Sequence, residues 1–173
     1  MIAGLGGLAP GYVLIASSGH QRSLRAATRV QGLDLVHFVS DALVYLEHRL
    51  GPLTFWEHGA PQDQASRRSA CVEHAHLHVV PGSLALPEPV SYSSFPTIEA
   101  ALKAELLDSD GYLLLGWSAR QVMVGADPRV SQYYRREWAR LVGRKDEWDY
   151  LVAENPRITA TTMRLLAPDN DGL

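Results

Sequence analysis

The sequence predicts an α+β protein, a mainly antiparallel sheet packed with helices and followed by a helical C-terminal segment. Three observations predict it. Short apolar or alternating runs bounded by Gly and Pro recur along the chain, a long stretch between two of them has apolar residues at three- and four-residue spacing, and residues past about 125 carry helical patterning. At 173 residues, with 46% hydrophobic and 20% charged residues, the chain has the size and composition of one globular domain. It is read as a single domain over 1–173, with about 125–173 as a helical extension.

The elements follow in order. Tyr12 to Ala16 is an apolar run between Pro10-Gly11 and Ser17-Ser18-Gly19, which predicts a buried strand with His20 just beyond it. From Ser23 to Leu50, Leu24, Leu35, Val36, Val39, Leu43, Leu46 and Leu50 share a helical face, and Gly32 divides a short helix from a long one. Gly51-Pro52 ends that helix, Leu53 to Glu57 is rich in β-formers, and His58-Gly59-Ala60-Pro61 reads as a turn. Gln62 to Ser69 is polar and predicts a loop, and Cys71 to Val80 alternates as a strand until Pro81-Gly82. Pro87, Pro89 and Pro96 predict irregular chain, Ile98 to Leu107 a helix, and Tyr112 to Trp117 with Gln121 to Val124 a hairpin through Ser118-Ala119-Arg120. Val130 to Val142 is an amphipathic helix ending at Gly143, and Asp146 to Leu166 holds further helical segments. No internal repeat is present.

Composition limits the functions open to such a chain. Sixteen basic and nineteen acidic residues give a net charge of −3, so a general electrostatic grip on nucleic acid is not expected, and Arg135-Arg136 with Arg140 reads as one basic helix face. The single cysteine, Cys71, cannot form an internal disulfide, which fits a cytoplasmic protein. The apolar start Met1 to Pro10 lacks a basic region and is broken by Gly and Pro, so neither a signal peptide nor a membrane span is expected.

Three of the seven histidines fall within five residues, in His74-Ala75-His76-Leu77-His78-Val79-Val80. Side chains alternate along a strand, so His74, His76 and His78 share one face while Ala75, Leu77 and Val79 pack on a core from the other. Imidazole serves as a metal ligand or as a nucleophile and acid–base group near neutral pH. At a rise of about 3.3 Å per residue, His74 and His78 lie about 13 Å apart at the backbone, too far for all three rings to reach one ion. A two-histidine metal site needs a further ligand, for which His58, Glu57 and Glu73 are the candidates. Nucleophilic or acid–base chemistry is therefore favoured over metal binding, and a two-histidine metal site stays open.

The string from His74 to Val80 matches His-φ-His-φ-His-φ-φ, φ being apolar, and resembles the signature of the histidine triad (HIT) superfamily. Pro81 after it, the segment from Pro10 to Ile15 with downstream His20, and the intervening long helix are similar to the family's layout, so the resemblance covers about 10–81. Phe55-Trp56-Glu57-His58-Gly59 is similar to a Phe-Glu-His-Gly stretch of some bacterial members. The resemblance implies hydrolysis or transfer at the α-phosphate of a nucleotide or dinucleoside polyphosphate through a nucleotidyl-histidine on the middle residue, His76. It further implies that His74 and His78 line the phosphate site and give it positive charge, that a carbonyl of the same strand fixes the His76 tautomer, that no metal or cofactor is needed, and that the protein is a homodimer.

The sequence also departs from that pattern. Ser69-Ala70-Cys71 stands where many members carry Gly-Gln-Ser, so Cys71, a poorer donor than a hydroxyl, occupies a phosphate-binding place with Ser69 nearby. Tyr12 replaces an upstream histidine and, with His20, is a candidate substrate contact. The family's preceding strand and its acidic ribose contact have only nine residues before Pro10 to occupy. Two other functions remain open at this point, a binding protein that keeps the nucleotide pocket without turnover, and a metal-dependent enzyme.

Overall fold

The computed structural model describes residues 1–4, 6–59, 74–104, 111–118, 121–128 and 130–167. In chain order they form β1 (Ile2–Ala3), β2 (Val13–Ala16), α1 (Leu24–Gln31), α2 (Leu33–Leu50), β3 (Leu53–Gly59), β4 (His76–Pro81), β5 (Val90–Phe95), α3 (Ile98–Lys103), β6 (Tyr112–Trp117), β7 (Gln121–Ala126), α4 (Tyr133–Leu141) and α5 (Pro156–Leu166). The strands make one sheet in the order β1-β2-β4-β3-β6-β7-β5, antiparallel throughout, so the fold is α+β as expected. No helix among the described residues is long and apolar enough to cross a membrane.

Local chemistry sets the helix boundaries. Ser23 caps α1 by accepting from the Ala26 N–H, and Gly32, at φ 68°, breaks the path between α1 and α2 where the sequence predicts a break. Gly51, at φ 79°, ends α2. The buried face of α2 consists of Leu35, Val36, Val39, Ala42, Leu43 and Leu46, the helical stripe read from the sequence.

The sheet is covered on both faces. One face packs Val13, Ile15, Phe55, Leu77, Val79 and Leu114 against α1, α2 and α3. The other packs Tyr12, Trp56, Leu113 and Leu115 against Tyr134, Trp138 and Ala139 of α4. Helix α5 is tied back to the start of β2 by the Gly11 N–H, which donates to Thr162 Oγ1 at 2.9 Å.

Several expectations change. The turn expected at His58-Gly59 is the end of β3, since both residues pair with β6, and Gly59 is needed there because a Cβ would stand 2.3 Å from the Tyr112 ring. Glu57, a metal candidate in the sequence, is 1% exposed and committed elsewhere: Oε1 accepts from the Leu24 N–H at 2.6 Å and Oε2 from the Tyr112 hydroxyl at 2.5 Å. Its charge thus sits at the N-terminus of α1, where a helix favours an anion. The irregular stretch expected around the prolines contains β5, an exposed edge strand whose Ser-Tyr-Ser-Ser sequence has no apolar alternation to announce it. Strand β4 begins at His76 and not at Cys71; residues 71–73 lie outside the described residues, and His74 and Ala75 precede the ladder. The distal part of the Ile98–Leu107 helix, the polar loop 62–69 and two residues of the hairpin turn, Ala119 and Arg120, also lie outside.

Leu77 is fully buried at the centre of the helix-covered face. Leu77→Ala is expected to cost about 2–5 kcal/mol of stability through lost transfer energy and the cavity left behind, read from urea unfolding midpoints.

Candidate active site

Strand β4 is held along both edges, by β2 with Ala16 opposite His76 and Leu14 opposite His78, and by β3 with Trp56 opposite His78. Leu77 and Val79 are thereby buried on the α1–α3 side, and the His76 and His78 rings emerge on the α4 side. The shared face expected from the alternation is present. His74 joins it from just before the strand.

The His76 ring nitrogen Nδ1 lies 2.9 Å from the carbonyl oxygen of His74. A carbonyl only accepts, so Nδ1 carries the proton and the lone pair is on Nε2. Burial lowers the His76 pKa below its usual 6.5; the His74 carbonyl works against that shift and His58 works with it. His76 is a neutral imidazole at neutral pH, with its nucleophilic nitrogen left unprotonated. His74 likewise donates from Nδ1, to the Gly19 carbonyl at 3.1 Å, and its ring lies 4.4 Å from that of His20.

His78 is enclosed more tightly. Its ring is parallel to Trp56 at 5.1 Å and to Tyr12 at 5.8 Å, and it meets His76 edge-on at 4.8 Å. The Tyr12 hydroxyl and His78 Nδ1 are 2.6 Å apart. Arg135 Nη1 donates to the same Tyr12 oxygen at 3.4 Å. Burial holds the His78 pKa well below 6.5, with His76, Arg135 and His58 pushing the same way. The positive charge expected of His78 is therefore absent at neutral pH. It is neutral, because a cation buried away from water beside a guanidinium is disfavoured.

The three histidines line a cleft of about 250 Å³. Tyr12, Leu14 and Ala16 add the β2 side, and Gln132, Arg135 and Tyr150 come from the C-terminal segment. The structure thus brings His74, His76, His78 and Tyr12 together, with the Tyr12 hydroxyl already engaged by His78. His20 is exposed, and its ring lies against that of His74. Ser69, Cys71 and Glu73 lie outside the described residues. His58 is paired through Nε2 with Asp127 at 2.8 Å, while its Nδ1 is buried without a partner. Among the described residues, no group of three or more His, Cys, Asp or Glu is arranged to hold a metal ion.

Sequence reasoning missed Arg135 and Gln132. The basic face expected at Arg135-Arg136-Arg140 is not one face: Arg135 is 3% exposed, Arg136 lies over the Trp148 ring at 3.5 Å, and Arg140 pairs with Glu137 at 3.0 Å. The buried positions of α4 are Tyr134, Arg135, Trp138 and Ala139, a helical stripe in which Arg135 sits among apolar residues. That periodicity was the available signal.

The chain matches no protein-family model and no curated protein.

The depressed histidine pKa values make stability depend on pH. Above pH 6.5 His76 and His78 are neutral in both folded and unfolded chains, so stability is level. As pH falls through 6.5 the unfolded imidazoles bind protons before the folded ones, and stability declines by up to about 1.4 kcal/mol per pH unit for each until its folded pKa is reached. Urea unfolding at pH 5 to 8 checks this, and His78→Gln is expected to flatten the acid limb.

Proposed function

We propose that the protein is a nucleotide hydrolase or nucleotidyltransferase of histidine-triad type, acting at the α-phosphate of a nucleotide or dinucleoside polyphosphate through a nucleotidyl-His76 intermediate. The observation that carries this reading is the hydrogen bond from His76 Nδ1–H to the His74 carbonyl, which leaves Nε2 unprotonated on a ring that lines the cleft.

The chemistry divides into two displacements. His76 Nε2 attacks the α-phosphorus, a P–N bond forms, and the bond to the bridging oxygen breaks as the remaining phosphate departs as an anion. The ring, now bonded at Nε2 and still protonated at Nδ1, carries positive charge that the His74 carbonyl stabilises. Water or another acceptor hydroxyl then attacks phosphorus from the opposite side, the P–N bond breaks, the acceptor's proton is lost to solvent, and Nε2 regains its lone pair. His78, neutral, assists from Nε2–H to a phosphoryl oxygen when its Nδ1 accepts from the Tyr12 hydroxyl. No residue in this scheme requires a metal or cofactor.

A cytoplasmic location and a homodimer belong to the same reading. The single cysteine supports the first. The exposed apolar side chains Leu33, Phe38, Val44 and Tyr45 on α2 are the surface that supports the second.

His76→Ala is expected to reduce turnover of a dinucleoside polyphosphate at least about a thousandfold, as loss of a nucleophile does, without unfolding the partly buried site. Wild-type kcat/KM is expected to be level above neutral pH and to fall on an acid limb centred below 6.5, where His76 takes a proton. Normal turnover by His76→Ala, or an acid limb well above pH 7, contradicts the assignment.

A further inference from the structure

Arg135 stands in the first turn of α4, lines the cleft and is 3% exposed, yet everything it touches is neutral. Nε donates to the Trp148 carbonyl at 2.6 Å, Nη2 to the Gly6 carbonyl at 2.7 Å and Nη1 to the Tyr12 oxygen at 3.4 Å. Among the described residues no carboxylate pairs with it. A guanidinium has five N–H donors, so two are left over. A buried cation without a counter-charge is unfavourable, and three neutral oxygens replace its lost hydration only in part.

The same cleft holds a second unfilled group. Gln132 lines it, and the Gln132 amide oxygen is buried without a hydrogen-bond partner. Its backbone is left-handed, at φ 54° and ψ 37°, an unfavourable conformation for a residue with a side chain. Gln132 is also the first residue of the α4 cap, where no side chain caps the helix and no acidic residue occupies the first turn. The first N–H groups of a helix have no partner within it and favour an anion.

We propose that Arg135, with the N-terminus of α4, binds a phosphate group of the ligand on which His76 acts, and that the Gln132 amide oxygen accepts a hydrogen bond from a sugar hydroxyl of that ligand. The ligand class is a nucleoside phosphate with a free hydroxyl. The positive charge that the neutral His76 and His78 do not supply comes from the C-terminal helix. The subsite rests on the reading of His76 only in taking the two to share one ligand.

The test is calorimetric titration of the full chain with AMP, adenosine and inorganic phosphate. Adenosine is expected to bind at least about tenfold more weakly than AMP, since it lacks the charged phosphate that pairs with Arg135. Arg135→Lys, which keeps the charge but loses the fork, is expected to weaken AMP and inorganic phosphate alike by about tenfold. Gln132→Gly suits the left-handed backbone, so it is expected to hold or raise Tm while weakening AMP about fivefold and leaving inorganic phosphate unchanged. This last variant decides the matter if Arg135→Lys lowers Tm. Adenosine binding as tightly as AMP, AMP failing to bind, or Gln132→Gly binding AMP like the wild type overturns the subsite. Undiminished turnover by His76→Ala with this binding pattern intact overturns the catalytic reading alone.

Discussion

Strand β4 is paired along both edges, and its side chains are therefore committed to two faces of opposite chemistry. Leu77 and Val79 are locked into the core beneath α1–α3, which forces His76 and His78 onto the α4 side. A one-residue slip would put imidazoles among leucines and strand leucines in the cleft, so the hydrophobic pattern that fixes the register also fixes the site. The hydrogen bond from His76 to the His74 carbonyl then sets the tautomer, and Trp56 and Tyr12 set the orientation of His78. Each later feature inherits its geometry from that pairing.

The second layer of α4 changes what these histidines can do. Had the face been left to water, the His76 and His78 imidazoles would titrate near their ordinary value. Tyr134, Trp138 and Arg135 instead close over it, and burial with an adjacent guanidinium keeps His78 neutral. His76 then presents a lone pair, and the fixed charge of the cleft lies on Arg135. The His76 lone pair and the cation are on separate groups with separate supports, β4 for one and the anchored first turn of α4 for the other. This division keeps His76 unprotonated beside a cation that lines the same cleft.

Much of this was legible in local pattern. The strand alternation at Ala75, Leu77 and Val79 gives the common face of the histidines, and the stripe from Leu35 to Leu46 with Gly32 and Gly51 gives α1 and α2 nearly residue by residue. Strand β5 was hidden because its residues are exposed on a sheet edge and only its pairing with β7 makes it a strand. The commitment of Glu57 to the start of α1, and of Arg135 to Gly6, Tyr12 and Trp148, depends on partners far apart in the chain. A charged residue on a helix looks solvated until the carbonyls that bury it are known. The neutrality of His78 was unreadable for the same reason, since Trp56, Tyr12 and Arg135 reach it from three different elements.

That His76 Nε2 is the nucleophile is tested most directly by trapping the covalent intermediate. Wild-type protein mixed with a dinucleoside polyphosphate, quenched in base within a few turnovers and digested, is analysed by mass spectrometry for one added nucleotidyl group. The geometry predicts an acid-labile adduct on the peptide containing His76, localised to His76 and missing from His76→Ala. An adduct on His74, His78 or another residue, or turnover with no adduct under conditions that trap phosphoramidates, contradicts it.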